Sequence, residues 1–195
     1  MSNRTAPLPP LSGIPHVIRE MRYHEASRQV LGILLAVLFA AVSQPVPWAL
    51  YLTTVIVVIG VVVRMWASGF IMKNEQLATN GPYALVRHPL YTGNILIVYA
   101  FAGASGVGWT FVVASAFFLF YYPTAIEDED RKLSEIFGDA WQAFAKNTPA
   151  LMPKFGGHDR DLGGNWSFKT SLSRNFEPLI AVFLLGCFAF IYTRL

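Results

Sequence analysis

The sequence is short of charge. Asp, Glu, Lys and Arg make up only 14% of its 195 residues, against 54% that are apolar. A soluble domain usually carries about a quarter charged residues, so an integral membrane protein is the first reading. Cysteine is almost absent. The lone Cys187 cannot close an internal disulfide, and a thiol set among Leu and Phe reads as apolar filler rather than as a nucleophile. No Ser-His-Asp or Cys-His arrangement is present, and no GxGxxG follows a strand-like run, which argues against a soluble nucleotide-binding fold. His16 and His24 have no neighbouring ligands at metal spacing, so no metal is expected, and no nucleic-acid partner either. The opening MSNRTAPLPPLSGIPH lacks a basic start followed by an apolar core, and reads as a proline-rich lead rather than a signal peptide.

What is present is a series of five apolar segments: Val30 to Pro47, Trp48 to Met72, Leu90 to Ala104, Trp109 to Ile126 and Pro178 to Tyr192. A full crossing needs about 20 residues, so the third and fifth are short. Uncharged connectors, Gln44–Pro47 and Gly103–Gly108, join segments one to two and three to four as helical hairpins. Thirteen of the fifteen Lys and Arg fall before segment one, between two and three, or between four and five. The hairpin turns hold none. Five crossings with a cytoplasmic N-terminus put all thirteen on one side, as the positive-inside rule requires. Arg194 lies outside that set, and the last crossing is the one that charge cannot decide. Arg64, inside segment two, is expected to snorkel to its interface. Residues His16 to Gln29 read as an interfacial helix.

The chain thus divides into a lead and interfacial helix (1–29), a first hairpin (30–72), a polar-looped core (73–153) and a loop with a last span (154–195), all in one domain. The expected fold is an all-α membrane protein of about five transmembrane helices, with a cytoplasm-facing pocket built from loops and the helix after the fourth span. In the glycine-rich loop before segment five, His158 reads as solvated, and Trp166 and Phe168 as residues that dip into the interface.

Polar chemistry concentrates in GPYALVRHPLYTG, Gly81 to Gly93. Asn80-Gly81-Pro82-Tyr83 makes a turn, and His88-Pro89 breaks the chain again before a helix that Pro89 opens. Free N–H groups at that helix start favour an anion; Tyr83 and Tyr91 add aromatic faces, Arg87 a fixed charge and His88 a switchable one. The same residues also suit a plain interfacial anchor. After segment four come four consecutive acids, Glu127-Asp128-Glu129-Asp130. They read either as a solvated helix start or as a site for a cationic ligand.

Arg87-His88-Pro89-Leu90-Tyr91-Thr92-Gly93 resembles the RHPxYxG signature of the isoprenylcysteine carboxyl methyltransferase family. Gly81-Pro82-Tyr83 before it, Glu129-Asp130 in place of a Glu-Glu pair, and Leu133, Phe137-Gly138, Trp141, Phe144, Pro149 and Pro153 after it agree in order and spacing. The resemblance covers about residues 73–153. It implies an enzyme that takes S-adenosylmethionine in a cytoplasm-facing pocket and methylates a lipophilic acceptor, a small molecule or a lipidated one. Carried over by position, the cofactor residues are Gln76, Leu77, Ala78, Tyr83, His88, Pro89, Leu90, Tyr91 and Glu129, with Glu75 at the edge. The reading assigns no catalytic residue. Methyl transfer is a direct displacement at an activated carbon and needs positioning rather than a protein nucleophile. Relatives carry an arginine four residues before the pocket glutamate, where this chain has Ala125; Arg87 and Arg131 are the bases that could replace it. The alternative is an NADPH-dependent membrane reductase of the sterol and 5α-reductase type. Those enzymes have Asn before the Tyr and an acid after the Gly, where Leu90 and Asn94 stand here. A third reading is a scaffold with no cofactor.

Overall fold

The computed structural model describes residues 5, 8–70, 76–153 and 161–195, without the side chains of 173–175. Glu75 and His158 lie outside these. Among the described residues there are eight α-helices and no strand, so the chain is all-α: α1 (Gly13–Tyr23), α2 (Glu25–Ala41), α3 (Pro47–Ser68), α4 (Pro89–Ala104), α5 (Trp109–Phe137), α6 (Asp139–Asn147), α7 (Phe168–Asn175) and α8 (Glu177–Tyr192). A short 3-10 turn, Gly81–Ala84, precedes α4.

Two helices, α3 and α5, are long and apolar enough to cross a membrane, and α1 with α2 makes a third span if the bent pair is counted as one. The helices α4 and α8 are apolar but have 16 residues each. At 1.5 Å per residue that is about 24 Å, short of a hydrocarbon core of about 30 Å. Apolar helices and outward-facing Leu, Val and Phe side chains mark an integral membrane protein.

The stretch expected as one helix from His16 to Gln29 is two: α1 ends at Tyr23, and residues from Glu25 already belong to α2, after a 75° bend at His24. On α1 the exposed Ile14, Val17, Ile18 and Met21 recur at helical spacing, the stripe of a helix lying in an interface. Arg28 was read as part of that surface helix but is buried in α2.

The tightest helix pair is α3 with α4. A Cβ placed on Gly60 would lie 3.0 Å from the Gly93 carbonyl oxygen, and one on Gly93 would lie 2.9 Å from that of Gly60. The two glycines therefore let the backbones touch, as small residues do between membrane helices. A Gly93 Cβ would also come 2.6 Å from Arg64 Cγ, so the arginine's stem lies across that glycine. The buried core runs through Leu35, Phe39, Val57, Phe101, Phe117 and Phe188, which joins α2, α3, α4, α5 and α8.

The four-acid run continues the fourth apolar segment within α5, whose 29 residues end at Phe137 before the Gly138 cap, with φ of +52°. Pro123 inside α5 leaves the helix unbroken. The glycine at 138 takes the left-handed turn at little cost and throws α6 back toward the α4 entrance.

Candidate functional site

The connector into α4 is held by backbone pairing with the segment after α6. The Arg87 N–H donates to the Pro149 carbonyl at 2.8 Å and the His88 N–H to that of Ala150 at 3.0 Å. The Thr92 hydroxyl donates to the Leu151 carbonyl at 2.8 Å. Arg87 donates to the Ala145 carbonyl at 2.9 Å and to Asp130 at 3.0 Å, with its guanidinium 5.9 Å from the buried Trp141 ring. The Phe-Gly, Trp and Pro positions of the sequence motif thereby acquire a physical purpose. They fold α6 back so that its exit clamps the His88-Pro89 break.

This clamp fixes the His88 ring, which is almost fully buried. Its Nε2 lies 2.8 Å from Asp130 Oδ1 and its Nδ1 lies 3.7 Å from Glu129 Oε2. An ionised carboxylate only accepts, so in the neutral ring Nε2 carries the proton and Nδ1 is left as an acceptor toward Glu129. The four acids, alike in chemistry, separate by helix phase. Glu127 is exposed. Asp128 is buried, bonded to Arg131 at 2.5 Å and paired with Lys132 at 3.3 Å. Asp130 serves Arg87 and His88. Glu129 keeps 46% of its side chain exposed.

Tyr91, one turn into α4, stacks on His88 with ring centroids 5.4 Å apart and meets Tyr122 of α5 at 5.2 Å. Tyr83 is buried in the 3-10 turn. Burial first, then the carboxylates of Glu129 and Glu177, push its phenol well above the ordinary value of 10.0, against the opposing pull of Arg64. Pro89 is buried at the α4 start and Leu90 is half-buried. Gln76 is exposed, and Leu77 and Ala78 are half-buried in the strand-like approach to the turn; among the described residues no hydrogen bond from them reaches the cluster.

Two arginines of the bundle were not part of the expected site. Arg64 does not snorkel. It pairs with Glu177 through two nitrogens, at 2.5 and 3.0 Å, and donates to Asn94. A countercharge from the first turn of α8 is present, so the side chain need not reach water. Glu177 was missed; an acid directly before Pro178 at a helix start was the available signal. Arg28 is 6% exposed. Its Nη2 donates to the Tyr91 hydroxyl at 3.2 Å and its guanidinium carbon sits 5.0 Å from the Tyr91 ring centroid. Its Nη1 is buried with no hydrogen-bond partner. The two bases considered for the Ala125 position, Arg87 and Arg131, are each bonded to a carboxylate, and Ala125 itself is buried.

The loop before α8 covers this end of the molecule. Gly81 N–H donates to the Asp161 carbonyl at 2.9 Å, and Asn80 donates to the Asp161 carboxylate at 2.6 Å. Trp166 is 43% exposed. It packs on Gly69 and donates to the Met65 carbonyl at 3.2 Å.

Residues 27–140 match the family described as phospholipid methyltransferase. The chain belongs to that family. The match contains the His88 connector, the Glu129 helix and Arg28. Membership agrees with the resemblance carried by the RHPxYxG motif. The chain is also 40% identical over 94 residues to the cobalt-zinc-cadmium resistance protein CzcN of Cupriavidus metallidurans, and 37% identical over 94 residues to the nickel-cobalt-cadmium resistance protein NccN of Alcaligenes xylosoxydans xylosoxydans. Each match covers 47% of this chain and 43% of the relative, so the chain spans less than half the length of these relatives. Among the described residues no group of three or more His, Cys, Asp or Glu could hold a metal ion. No solved structure matches.

Proposed function

We propose that the protein transfers a methyl group from S-adenosylmethionine to a lipophilic acceptor at the cytoplasmic face of the membrane. The observation that carries this reading is the meeting of the α4 connector with α5. His88 Nδ1 and Glu129 Oε2 stand 3.7 Å apart, beside the Tyr91 ring. The donor set fits the cofactor. Glu129, partly open and without a Lys or Arg partner among the described residues, suits an ammonium group. The Tyr83 and Tyr91 rings suit a sulfonium or an adenine face. At the α4 start Pro89 has no N–H and those of Tyr91 and Thr92 donate to the His88 carbonyl, which leaves the Leu90 N–H for a carboxylate. Gln76, Leu77, Ala78, Pro89 and Leu90 line the approach.

When bound, the cofactor supplies an electrophilic methyl on a cationic sulfur. The chain's part is to orient the two substrates and exclude water. His88 is held by Asp130 and by the clamp from residues 149–151, so its acceptor nitrogen has one direction. Five crossings, with α4 and α8 as the short ones and the N-terminus cytoplasmic, would set this cluster at the inner leaflet, open to an acceptor arriving from the bilayer. A prenylated carboxylate and a phospholipid amine are the acceptor classes to try.

The test is calorimetry of the purified protein in neutral detergent against S-adenosylhomocysteine and NADPH, followed by radiolabelled methyl transfer over prenylated thiols, phospholipid amines and small thiols. Binding of S-adenosylhomocysteine, weakened about tenfold or more by Glu129→Gln, is the expected result for loss of a charge-assisted contact. Binding of NADPH alone would overturn the reading in favour of a reductase, and binding of neither would favour a scaffold.

A further inference from the structure

We propose that Arg28 is the anion-recognising residue for the acceptor, so that the protein's substrates carry a carboxylate or phosphate next to the lipid portion. This rests on the methyltransferase reading and adds the chemical class of substrate to it. Arg28 is 94% buried by the complement of its 6% exposure, yet among the described residues it has no carboxylate partner. The only hydrogen bond it makes through its side chain among those residues is to the Tyr91 hydroxyl. Nη1 is an unused buried donor. A guanidinium placed so has given up water and gained only a neutral phenol and a ring face in return. Its fork still offers the paired N–H groups that match a carboxylate or phosphate.

The position fits an acceptor. Arg28 sits in the first turn of α2, just past the 75° bend from α1. It meets the ring and hydroxyl of Tyr91, which stacks on His88, the ring that faces Glu129. A cation beside Glu129 and an anion beside Arg28 would therefore share one cluster. The arginines nearest the connector are engaged: Arg64 with Glu177, Arg87 with Asp130 and Arg131 with Asp128, while Arg19 and Arg22 of α1 donate to the Pro9 and Phe120 carbonyls.

The experiment uses full-length protein in neutral maltoside micelles, saturated with S-adenosylhomocysteine. Myristate, tetradecyl phosphate and tetradecanol are titrated into wild type, Arg28→Gln and Arg28→Lys. Wild type is expected to bind at least one of the two anions about tenfold or more tightly than the alcohol. Arg28→Gln is expected to lose that preference, and Arg28→Lys to keep part of it. Preference for the phosphate points to a lipid headgroup, and preference for the carboxylate to an acid-bearing acceptor. The affinity for S-adenosylhomocysteine, measured without amphiphile, should stay within about twofold in both variants, which also shows that they are folded. An equal response to all three amphiphiles, or a preference that survives Arg28→Gln, overturns the proposal. So does a loss of S-adenosylhomocysteine affinity in both variants, because the charge would then serve the cofactor or the fold. Failure of wild type to bind S-adenosylhomocysteine at all counts instead against the methyltransferase reading.

Discussion

Two buried arginines stand where the bundle meets its polar loops, and the regions around them are built in opposite ways. Arg64, at the end of α3, has a carboxylate on two of its nitrogens and an amide on the third. Arg28, at the start of α2, has a phenol and an empty donor. The first region is closed on itself and joins α3, α4 and α8. The second presents a charge that the described fold leaves uncompensated. Residue type and burial are alike, so the difference lies in what the neighbouring helix brings. Where a countercharge arrives with the fold, the arginine is a fastening; where none arrives, it is available to a ligand.

The largest effect should come from breaking the closed region. Arg64→Met leaves Glu177 buried with its charge unanswered, which costs about 3–5 kcal/mol. Adding Glu177→Leu should restore most of that, since an apolar pair of similar volume replaces the ions. Denaturant titration of the ligand-free protein in micelles measures both. If Arg64→Met alone unfolds no more easily than wild type, the fastening role is wrong.

Gly93→Ala should come next. The added Cβ meets Arg64 Cγ at 2.6 Å and the Gly60 carbonyl at 2.9 Å. The helices must part or the arginine stem must move, at about 1–3 kcal/mol. The same titration reads the loss. A loss that vanishes in the Arg64→Met background would locate the strain in the stem, while an equal loss would locate it between the two backbones.

Arg28→Met sharpens the contrast from the other side. It removes a charge without stranding a partner, and the lost phenol contact is offset by relief of an unpaired buried donor. Stability in the ligand-free state should change by no more than about 1 kcal/mol. A loss as large as that of Arg64→Met would show that Arg28 is structural after all.

The sequence foretold one of these regions better than the other, for physical reasons. The His88-Pro89 break, the Gly81 turn and the apolar segments are local features, written in neighbouring residues. So is Glu129, whose spacing to Phe137-Gly138 matches a known motif. The Arg64–Glu177 pair spans 113 positions and the Arg28–Tyr91 contact spans 63, and nothing local announces either. The bend at His24 is made without glycine or proline, which is why the surface helix was read as continuing to Gln29. The division of labour among the four acids was hidden too. Once α5 runs unbroken to Phe137, its turn of about 100° per residue sends Asp128 toward Arg131 and Lys132, and Glu129 and Asp130 toward His88. A run taken as a helix start gives no such phase.

The smallest effect joins the two regions through Tyr83. Its phenol is buried in the turn before α4, and that burial first, then the charges of Glu129 in the open region and Glu177 in the closed one, raise its pKa. Below pH 10.0, the ordinary value, folded and unfolded chains both keep the proton and Tyr83 adds nothing to pH dependence. Above it the unfolded chain releases the proton while the folded chain holds it, so stability falls as pH rises, by up to about 1.4 kcal/mol per pH unit. Tyr83→Phe should remove that slope and leave the neutral-pH slope untouched. Unfolding midpoints measured from pH 8 to pH 11 in wild type and variant test this, with the two curves parallel at the low end and wild type falling faster at the high end. Parallel curves throughout would mean that burial and the two charges do not raise the phenol's pKa, and the link between the fastened arginine and the open one would be lost.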